Sequence, residues 1–499
     1  HTRYWRDWSS DVCSSDLYYS TTYRCVISNG ITSCIDSVRI TVRRPTTRII
    51  IPQASCSFYV WNNNPDSAFV LHNYKQLPIT DSIPGVVTPE KTFYKNSIIE
   101  DISEDNLVKI LPTPFEYKEN GHKVFLNKNF SIVSDSSFQN EEIYLSKILA
   151  SVFKNKMKSR ENKNYTIRLM RKQLEDEAYE MQIKENELII TAGSSSGIFY
   201  GIQSLLHLLP AYSWENKQDS IKIPQVEIKD KPRFGYRSLM IDVARNFKSK
   251  KDIFKILDLM ALYKMNVFHF HFSDDEGWRL EIPGLPELTK IGSNRGFDLE
   301  SKNMLPPSYG SGPVKGKTLG SGYYSKSDFI EILRYAKERH IKVIPEIESP
   351  GHSRAAIKSM YKRYLYFISK NDKSEAQKYL LSDIDDSSLY HSAQQWTDNV
   401  MCVALPSVYT FMEKVIDEVL LMYKEADAPI NTIHIGGDEV PEGVWKRAPS
   451  CQKLIGAQYD GDNYIRDFDD FWMYYISKMK QLLDKKGLTV SGWEEVGMN

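Results

Sequence analysis

The sequence has no excess of charge of either sign. Among its 499 residues, lysine plus arginine number 64 and aspartate plus glutamate also number 64. Proteins that bind nucleic acid or an anionic membrane surface usually present a basic field, because they must attract phosphate groups. The balance of charge therefore predicts that neither nucleic acid nor a membrane surface is a partner.

Long apolar runs and metal-binding cysteine motifs are also missing. No stretch approaches the roughly 20 apolar residues that cross a bilayer as a helix, and no apolar segment typical of a secretory leader stands near the first residue. The six cysteines include no C-x-x-C pair, which argues against a zinc module. Cys25 and Cys34 flank a turn-like segment, and either a disulfide across a hairpin or two free thiols fits this spacing.

Composition and pattern divide the chain into five parts. Residues 1–17 match nothing that follows and look like translated adapter sequence, so we do not assign them to the fold. Residues 18–44 alternate polar and apolar side chains around Asn-Gly, which predicts a β-hairpin similar to the closing strands of an immunoglobulin-like module. Residues 45–108 are predicted to be a linker with irregular strands, and residues 109–232 a small α+β domain. Residues 233–499 show a different pattern, in which predicted strands and helices alternate.

In this last part each short apolar strand is followed by a helix, the first of which Ser249 is placed to cap. The alternation predicts an α/β fold with parallel strands and right-handed crossovers. Either a smaller open sheet or a (β/α)8 TIM barrel that stops after about its fifth strand fits the pattern. The predicted strands are 238–243, 266–272, 341–347, 431–437 and 488–493.

Ionisable and aromatic residues gather at the carboxyl ends of these strands, where active sites form in parallel α/β folds. Taken alone, Asp438 could be a helix N-cap, Arg245 a surface cation and Trp493 a core residue. Their convergence on one edge favours a functional site. The residues at this edge are Asp242, Arg245, His269, His271, Asp274, Asp275, Trp278, Glu346, Glu348, His352, His434, Asp438, Glu439, Trp493, Glu494 and Glu495.

The adjacent acids Asp438 and Glu439 indicate the chemistry. Each carboxyl group disfavours ionisation of the other, so one can keep its proton near neutral pH while the other stays charged. A protonated carboxylic acid beside a flat aromatic surface is what cleavage of a glycosidic bond requires. Gly436 and Gly437 are predicted to leave room for a sugar ring near the backbone.

Five ordered motifs carry a resemblance to a known family. Together they resemble the β-N-acetylhexosaminidases of glycoside hydrolase family 20, and most closely their bacterial chitobiase branch. The resemblance covers about 109–499 and implies a TIM-barrel catalytic domain preceded by a small α+β domain. It also implies hydrolysis of terminal N-acetylhexosamine from β-linked oligosaccharides or glycoconjugates. The motifs are RSLMIDVAR (237–245), NVFHFHFSDDEGWRLEI (266–282), IPEIESPGH (344–352), HIGGDE (434–439) and SGWEEV (491–496).

The resemblance assigns the catalytic roles. It implies a retaining mechanism in which the 2-acetamido oxygen of the sugar attacks the anomeric carbon. Asp438 would orient the acetamido group, and Glu439 would protonate the leaving oxygen and later activate water. Asp274 and His352 would hydrogen-bond towards Glu439, with Glu348 orienting His352.

The resemblance also implies the binding residues and the setting. Arg245 would grip ring hydroxyls and Trp493 would form a wall of the acetamido pocket, with His271 and His434 as further substrate-binding residues. No cofactor and no metal is expected. The expected location is secreted, periplasmic or on the surface of a bacterium.

Later parts of the family pattern have no counterpart before Asn499, so we expect the 499-residue chain on its own to be unstable or inactive. Two alternatives stay open at this point. His269 and His271 form a plausible ligand pair for a metal-dependent barrel hydrolase. The second alternative is a protein that binds amino sugars without turnover.

Overall fold

The computed structural model describes residues 21–28, 33–42, 47–48, 89–98, 109–127, 129–154, 165–298, 303–316 and 318–497. The chain divides into two compact units, residues 1–107 and 108–499. The predicted adapter-like segment 1–17 lies outside the described residues, as does most of the predicted linker.

The described part of the first unit contains a hairpin and one helix. Strands β1 (Thr21–Ser28) and β2 (Ser33–Val42) pair antiparallel, which confirms the predicted hairpin, and β3 (Thr47–Arg48) pairs with β2. The register puts Cys25 opposite Asp36. Helix α1 (Pro89–Ser97) lies where the sequence predicted an irregular linker. Proline at its first position suits a helix start, because that position needs no backbone N–H donor.

The second unit begins with a mixed six-stranded sheet covered by helices. Alternating burial along these strands leaves one face for the core, as period-two patterning requires. Helix packing is close: a β-carbon at Gly201 would lie 2.5 Å from Cγ2 of Ile190. The sheet order is β4-β9-β7-β8-β6-β5. The elements are β4 (Glu116–Asn127), β5 (Phe130–Ser134), α2 (Gln139–Val152), β6 (Tyr165–Arg171), β7 (Tyr179–Ile183), β8 (Glu187–Ala192), α3 (Ser195–Leu208), α4 (Tyr212–Glu215) and β9 (Ser220–Asp230).

The rest of the unit alternates strands and helices. Its elements are β10 (Ser238–Asp242), α5 (Lys250–Leu262), β11 (Val267–His271), β12 (Ser273–Asp274), β13 (Gly277–Trp278), α6 (Glu287–Lys290), α7 (Lys326–Lys337), β14 (Lys342–Glu346), α8 (Arg354–Ser369), α9 (Lys373–Gln377), α10 (Pro406–Ala426), β15 (Thr432–His434), α11 (Pro449–Gln452), β16 (Gln458–Asp460), β17 (Asn463–Tyr464), α12 (Asp470–Asp484) and β18 (Thr489–Ser491). A 3-10 turn follows at Glu494–Gly497.

Strands β10, β11, β14, β15 and β18 form one parallel sheet in that order, and at least one helix joins each consecutive pair. These are the five predicted strands, in the arrangement of a (β/α) barrel. The side chain of Ser249 accepts a hydrogen bond from the backbone of Asp252, which confirms the predicted cap of α5. Strand β15 is shorter than predicted, because Gly436 and Gly437 adopt positive φ angles and leave the strand.

Strand β11 shows how sequence sets the core and the site together. All five of its residues are buried, as expected in a parallel sheet covered on both faces. Phe268 and Phe270 pack in the apolar core, while His269 and His271 alternate with them and face the other side. No helix among the described residues is long and apolar enough to span a membrane.

Candidate active site

The parallel register brings polar residues of four strands to one level. Asp242 of β10 lies beside His271 of β11, and His271 lies beside Glu346 of β14. Glu346 in turn lies beside His434 of β15. Side chains from separate strand ends therefore meet at the carboxyl edge of the sheet, as predicted.

A buried carboxylate, Glu346, lies at the centre of this edge. Its Oε2 atom is 2.6 Å from Nδ1 of His271 and 2.9 Å from Nε2 of His269, and its Oε1 atom is 3.0 Å from Nδ1 of His434. Burial raises the pKa of Glu346, but the three imidazoles outweigh burial and hold it well below its usual range. These direct contacts have the lengths of hydrogen bonds and ion pairs. His269, Glu346 and His434 could also hold a metal ion, so the metal-hydrolase alternative stays open.

His271 and His434 belong to this support rather than to an open surface. Both are buried, with 2% and 5% exposure. His271 Nε2 lies 3.0 Å from Oδ2 of Asp274, and Nδ1 of His434 lies 3.2 Å from the backbone nitrogen of Gly436. Their contact with substrate stays a prediction, because the contacts seen are those of supporting residues.

His352 connects the acidic groups of three segments. Its Nδ1 atom lies 3.4 Å from Asp274 and 3.3 Å from Asp275, while its Nε2 atom lies 3.3 Å from Oε2 of Glu439 and 3.8 Å from Oδ2 of Asp438. Burial lowers the pKa of His352, but the two aspartates outweigh burial and raise it to about 12. The imidazole is therefore charged at neutral pH. Asp274 and Glu439 lie within ion-pair distance of His352, but neither ring nitrogen of His352 has a well-aligned hydrogen bond among the described residues, so the hydrogen-bonded link stays a prediction.

The turn that carries the paired acids has an unusual backbone. Gly436, Gly437 and Glu439 have φ angles of +72°, +88° and +49°, in the left-handed region that suits glycine and strains glutamate. A β-carbon at Gly436 would overlap the carboxylate of Glu348. The prediction that this glycine makes room for a sugar ring is therefore wrong, because the freed space is filled by protein.

Asp438 and Glu439 differ in environment. Their side chains are 27% and 44% exposed, so Glu439 is the more open of the two. Burial raises the pKa of Asp438, with His352 opposing that shift. No helix of the described chain begins at Asp438, which removes the helix-cap explanation. Both carboxyl groups reach the same nitrogen of His352, so they converge on one point.

The guanidinium of Arg245 lies among three carboxylates. Its Nη1 atom is 2.6 Å from Oδ2 of Asp274 and 3.1 Å from Oδ2 of Asp242, and its Nε atom is 3.3 Å from Oε2 of Glu276. The Arg245 side chain is 21% exposed. A partly open guanidinium held by carboxylates is suited to binding hydroxyl groups.

Glu348 has different partners from those predicted. Its Oε1 atom accepts a hydrogen bond from Nε1 of Trp493 at 3.4 Å and lies 3.7 Å from Nδ1 of His271. Burial raises the pKa of Glu348 well above its usual range. The contacts of Glu348 support Trp493, and Asp274 and Asp275 lie next to His352 where the resemblance implied Glu348.

Trp493 packs beside two histidines of the support. Its ring centroid lies 5.6 Å from that of His269 and 5.0 Å from that of His434. The residue is partly exposed, so one part of the indole remains available at the edge of the sheet. Its predicted role as a wall of the acetamido pocket stays a prediction.

Sequence reasoning missed several residues that complete the site. Asp275 accepts a hydrogen bond from Nδ2 of Asn399 at 2.9 Å, and Gln394 donates to Oε2 of Glu439 at 3.0 Å. Trp396 donates through Nε1 to Glu276 at 3.2 Å. Asp275 was already expected at this edge, and Glu276 follows it directly in the sequence, which is a usable signal. The segment 390–399 has no strand or helix period that would reveal Gln394, Trp396 and Asn399.

Comparison with known proteins places the chain in a family. The description "Glycosyl hydrolase family 20, catalytic domain" matches residues 234–499, and "Glycosyl hydrolase family 20, domain 2" matches residues 107–231. The chain belongs to glycosyl hydrolase family 20. The matched ranges include the parallel sheet with its acidic edge and the mixed sheet before it.

Two curated relatives and one solved structure define the likeness further. A β-hexosaminidase of Vibrio vulnificus is 38% identical over 429 residues, which are 85% of this chain and 49% of that protein. An N,N'-diacetylchitobiase of Vibrio harveyi is 40% identical over 64% of this chain and 38% of that protein. The crystal structure of a family 20 exo-β-N-acetylglucosaminidase from Vibrio harveyi with N-acetylglucosamine superposes with a TM-score of 0.67 and 30% identity, over 79% of this chain and 55% of that one. The chain therefore spans about half, or less, of the length of these relatives.

Proposed function

We propose that this protein is a β-N-acetylhexosaminidase. It removes terminal non-reducing N-acetyl-D-hexosamine residues from β-linked oligosaccharides or glycoconjugates. The observation that supports this proposal most strongly is the convergence of Asp438 and Glu439 on one buried, charged imidazole, His352. Membership in glycosyl hydrolase family 20 supports the same reaction.

In the first step the 2-acetamido oxygen of the bound sugar forms a bond to the anomeric carbon. The bond from that carbon to the leaving oxygen breaks, and Glu439 gives its proton to the leaving oxygen. In the second step the Glu439 carboxylate takes a proton from water, whose oxygen attacks the anomeric carbon. The bond from that carbon to the acetamido oxygen breaks, which restores the acetamido group. The open position of Glu439 suits contact with both the aglycone and water.

Asp438 acts on the acetamido group. As its carbonyl oxygen attacks, the amide nitrogen gains positive charge, which a neighbouring carboxylate stabilises. The same burial that raises the pKa of Asp438 leaves its carboxylate poorly solvated. A positive charge that develops beside it is therefore stabilised more than it would be in water.

The remaining roles follow from position. Arg245 binds ring hydroxyls of the terminal sugar through its fork of donors. Trp493 forms one wall around the acetamido group, and Glu348 holds the indole in place through the bond at 3.4 Å. Oligosaccharides or glycoconjugates as substrates favour a location outside the cytoplasm of a bacterium, and activity in the periplasmic or extracellular fraction tests it.

Replacement of the proton donor tests the proposal. In the full-length protein, Glu439→Gln should lower kcat on an unactivated N-acetylglucosaminide by about 10² to 10⁴-fold, the usual contribution of a general acid. Glu442→Gln is the matched control, because Glu442 lies three residues away with a side chain 95% exposed. The control should keep kcat. Wild-type activity in Glu439→Gln would refute the assignment, and a binding protein without turnover would show no activity in any form.

A further inference from the structure

Glu276 has no role in the mechanism above, yet it is built into the site. It follows Asp275 in the turn between β12 and β13, and its side chain is 3% exposed. Its Oε1 atom accepts a hydrogen bond from Nε1 of Trp396 at 3.2 Å, and its Oε2 atom lies 3.3 Å from Nε of Arg245. The carboxylate therefore bridges a loop indole and the guanidinium proposed to bind sugar.

This bridge controls the plane of the guanidinium. Asp242 and Asp274 hold Nη1 of Arg245, and Glu276 lies against Nε on another edge of the same planar group. Contacts at both Nη1 and Nε prevent the guanidinium from rotating about the Nε–Cδ bond of Arg245. Among the described residues, both Nε of Arg245 and Oε2 of Glu276 lack a well-aligned hydrogen bond, so the contact between them is an ion pair that holds position rather than a closed bond.

Trp396 fixes the other end of the bridge. Its indole lies under the guanidinium of Arg354, with 4.2 Å from Cζ to the ring centroid, and its backbone N–H donates to Oγ of Ser392. Arg354 packs on one face of the indole and Ser392 holds the backbone of Trp396, so the indole N–H has a fixed position from which it donates to Glu276. The loop that carries it also carries Gln394, the donor to Glu439.

We propose that Glu276, held by Trp396, is a positioning residue that sets the plane of the Arg245 guanidinium for binding the ring hydroxyls of the terminal sugar. The inference rests on the proposed function for the nature of the ligand. Its distinctive consequence is a dependence of sugar affinity on the charge of Glu276.

The charge of Glu276 changes near neutral pH. Burial, together with Asp274 and Asp275, raises the pKa of this carboxyl to about 7, although Arg245 and Trp396 oppose the shift. The charged form pairs with Arg245, so affinity should fall as pH decreases through this range. The charged and titratable groups that face Glu276 are Arg245 after β10, Asp274 and Asp275 in its own turn, Arg279 after β13, and Arg295 and Tyr309 from the segment that follows α6.

The test uses Glu276→Gln in the full-length protein, with binding of N-acetylglucosamine by calorimetry and hydrolysis kinetics as readouts. Glutamine keeps an oxygen for Trp396 and removes the charge beside Arg245. We expect Kd and KM to rise by about tenfold while kcat changes less, since loss of a ground-state contact acts on binding. In the wild type both constants should increase below pH 7, and this dependence should vanish in the variant.

Trp396→Phe supplies a second, independent readout. It keeps a ring under Arg354 but removes the donor that lowers the pKa of Glu276, so the pH at which affinity falls should move upwards. Glu287→Gln is the control: Glu287 forms an ion pair with Nη1 of Arg363, also at 3.3 Å, outside the site. It should leave Kd, KM and their pH dependence unchanged.

Two outcomes would overturn the inference: a Glu276→Gln protein with wild-type Kd and the same pH dependence, or one whose kcat falls while Kd is unchanged. Melting temperatures of Glu276→Gln and Trp396→Phe show whether either variant has a folding defect. If Glu276→Gln has one, the pH dependence of sugar affinity in Trp396→Phe decides whether the inference holds. Because sugar binding needs no turnover, binding without hydrolysis would refute the proposed function alone. A wild-type protein that binds no N-acetylglucosamine would overturn both.

Discussion

The two ends of the same parallel sheet use ionisable residues in opposite ways. Before β10 and β11, each of two cations has one carboxylate: Arg237 lies 3.0 Å from Glu177, and Lys264 lies 2.8 Å from Asp230. At the carboxyl ends, one guanidinium, Arg245, faces three carboxylates.

Hydrogen bonding separates the two ends as well. None of the four residues in the amino-end pairs has a buried polar atom without a partner among the described residues. At the carboxyl end, buried atoms without a well-aligned hydrogen bond include Oε2 of Glu348, Oε2 of Glu276 and Oδ1 of Asp438. Unsatisfied buried groups cost stability, so these atoms indicate a place where a ligand can complete the bonding. We propose that the amino-end pairs stabilise the fold and that the carboxyl end carries the chemistry.

The largest difference between the ends should come from Asp438. Asp438→Asn should reduce kcat by about 10² to 10³-fold, since the variant cannot offset the charge that develops on the acetamido nitrogen. Glu177→Gln at the other end should leave kcat within about twofold, because its partner Arg237 is remote from the reacting atoms. Steady-state kinetics on one N-acetylglucosaminide measure both. Equal losses of kcat in Asp438→Asn and Glu177→Gln would contradict the proposed difference between the two ends of the sheet.

Arginine-to-lysine exchange at each end should separate binding from stability. Arg245→Lys should raise KM by about 10 to 100-fold, because lysine lacks the planar fork of donors. Arg237→Lys should lower the free energy of unfolding by about 1–3 kcal/mol with KM unchanged, since it loses hydrogen bonds to Tyr200 and to the backbone of Lys264. Urea unfolding and kinetics on both variants provide the comparison. A KM effect from Arg237→Lys would contradict it.

A smaller effect concerns pH and His352. Its pKa in the folded protein is about 12, above the ordinary 6.5, so its contribution to stability is complete below pH 6.5 and is lost as pH rises towards 12. The stability advantage of the wild type over His352→Gln should therefore shrink by about 1 kcal/mol between pH 6.5 and pH 7.5. Urea unfolding at both pH values measures it. An advantage that grows with pH would show that the imidazole is not held in its charged form.

The residues at the carboxyl edge of the sheet were predictable because they follow from local patterns in the sequence. Period-two patterning placed His271 beside His269 on one side of β11, and the carboxyl-edge rule placed Glu439 with Arg245. The partners of Glu348 were not predictable, since they depend on which way a buried carboxyl turns after the strand ends. Trp396 was not predictable either, because the loop that carries it is shaped by contacts with distant residues such as Arg354.

The proposed mechanism depends most on the identity of the nucleophile that attacks the anomeric carbon. The direct measurement is kcat/KM on N-acetylglucosaminides whose acetyl group carries no, one, two or three fluorine atoms, with one leaving group throughout. Fluorine withdraws electrons from the carbonyl oxygen, so attack by that oxygen predicts a steep, monotonic fall in rate across the series. A rate independent of fluorine content would show that another group attacks the anomeric carbon, and the roles given to Asp438 and Glu439 would not stand.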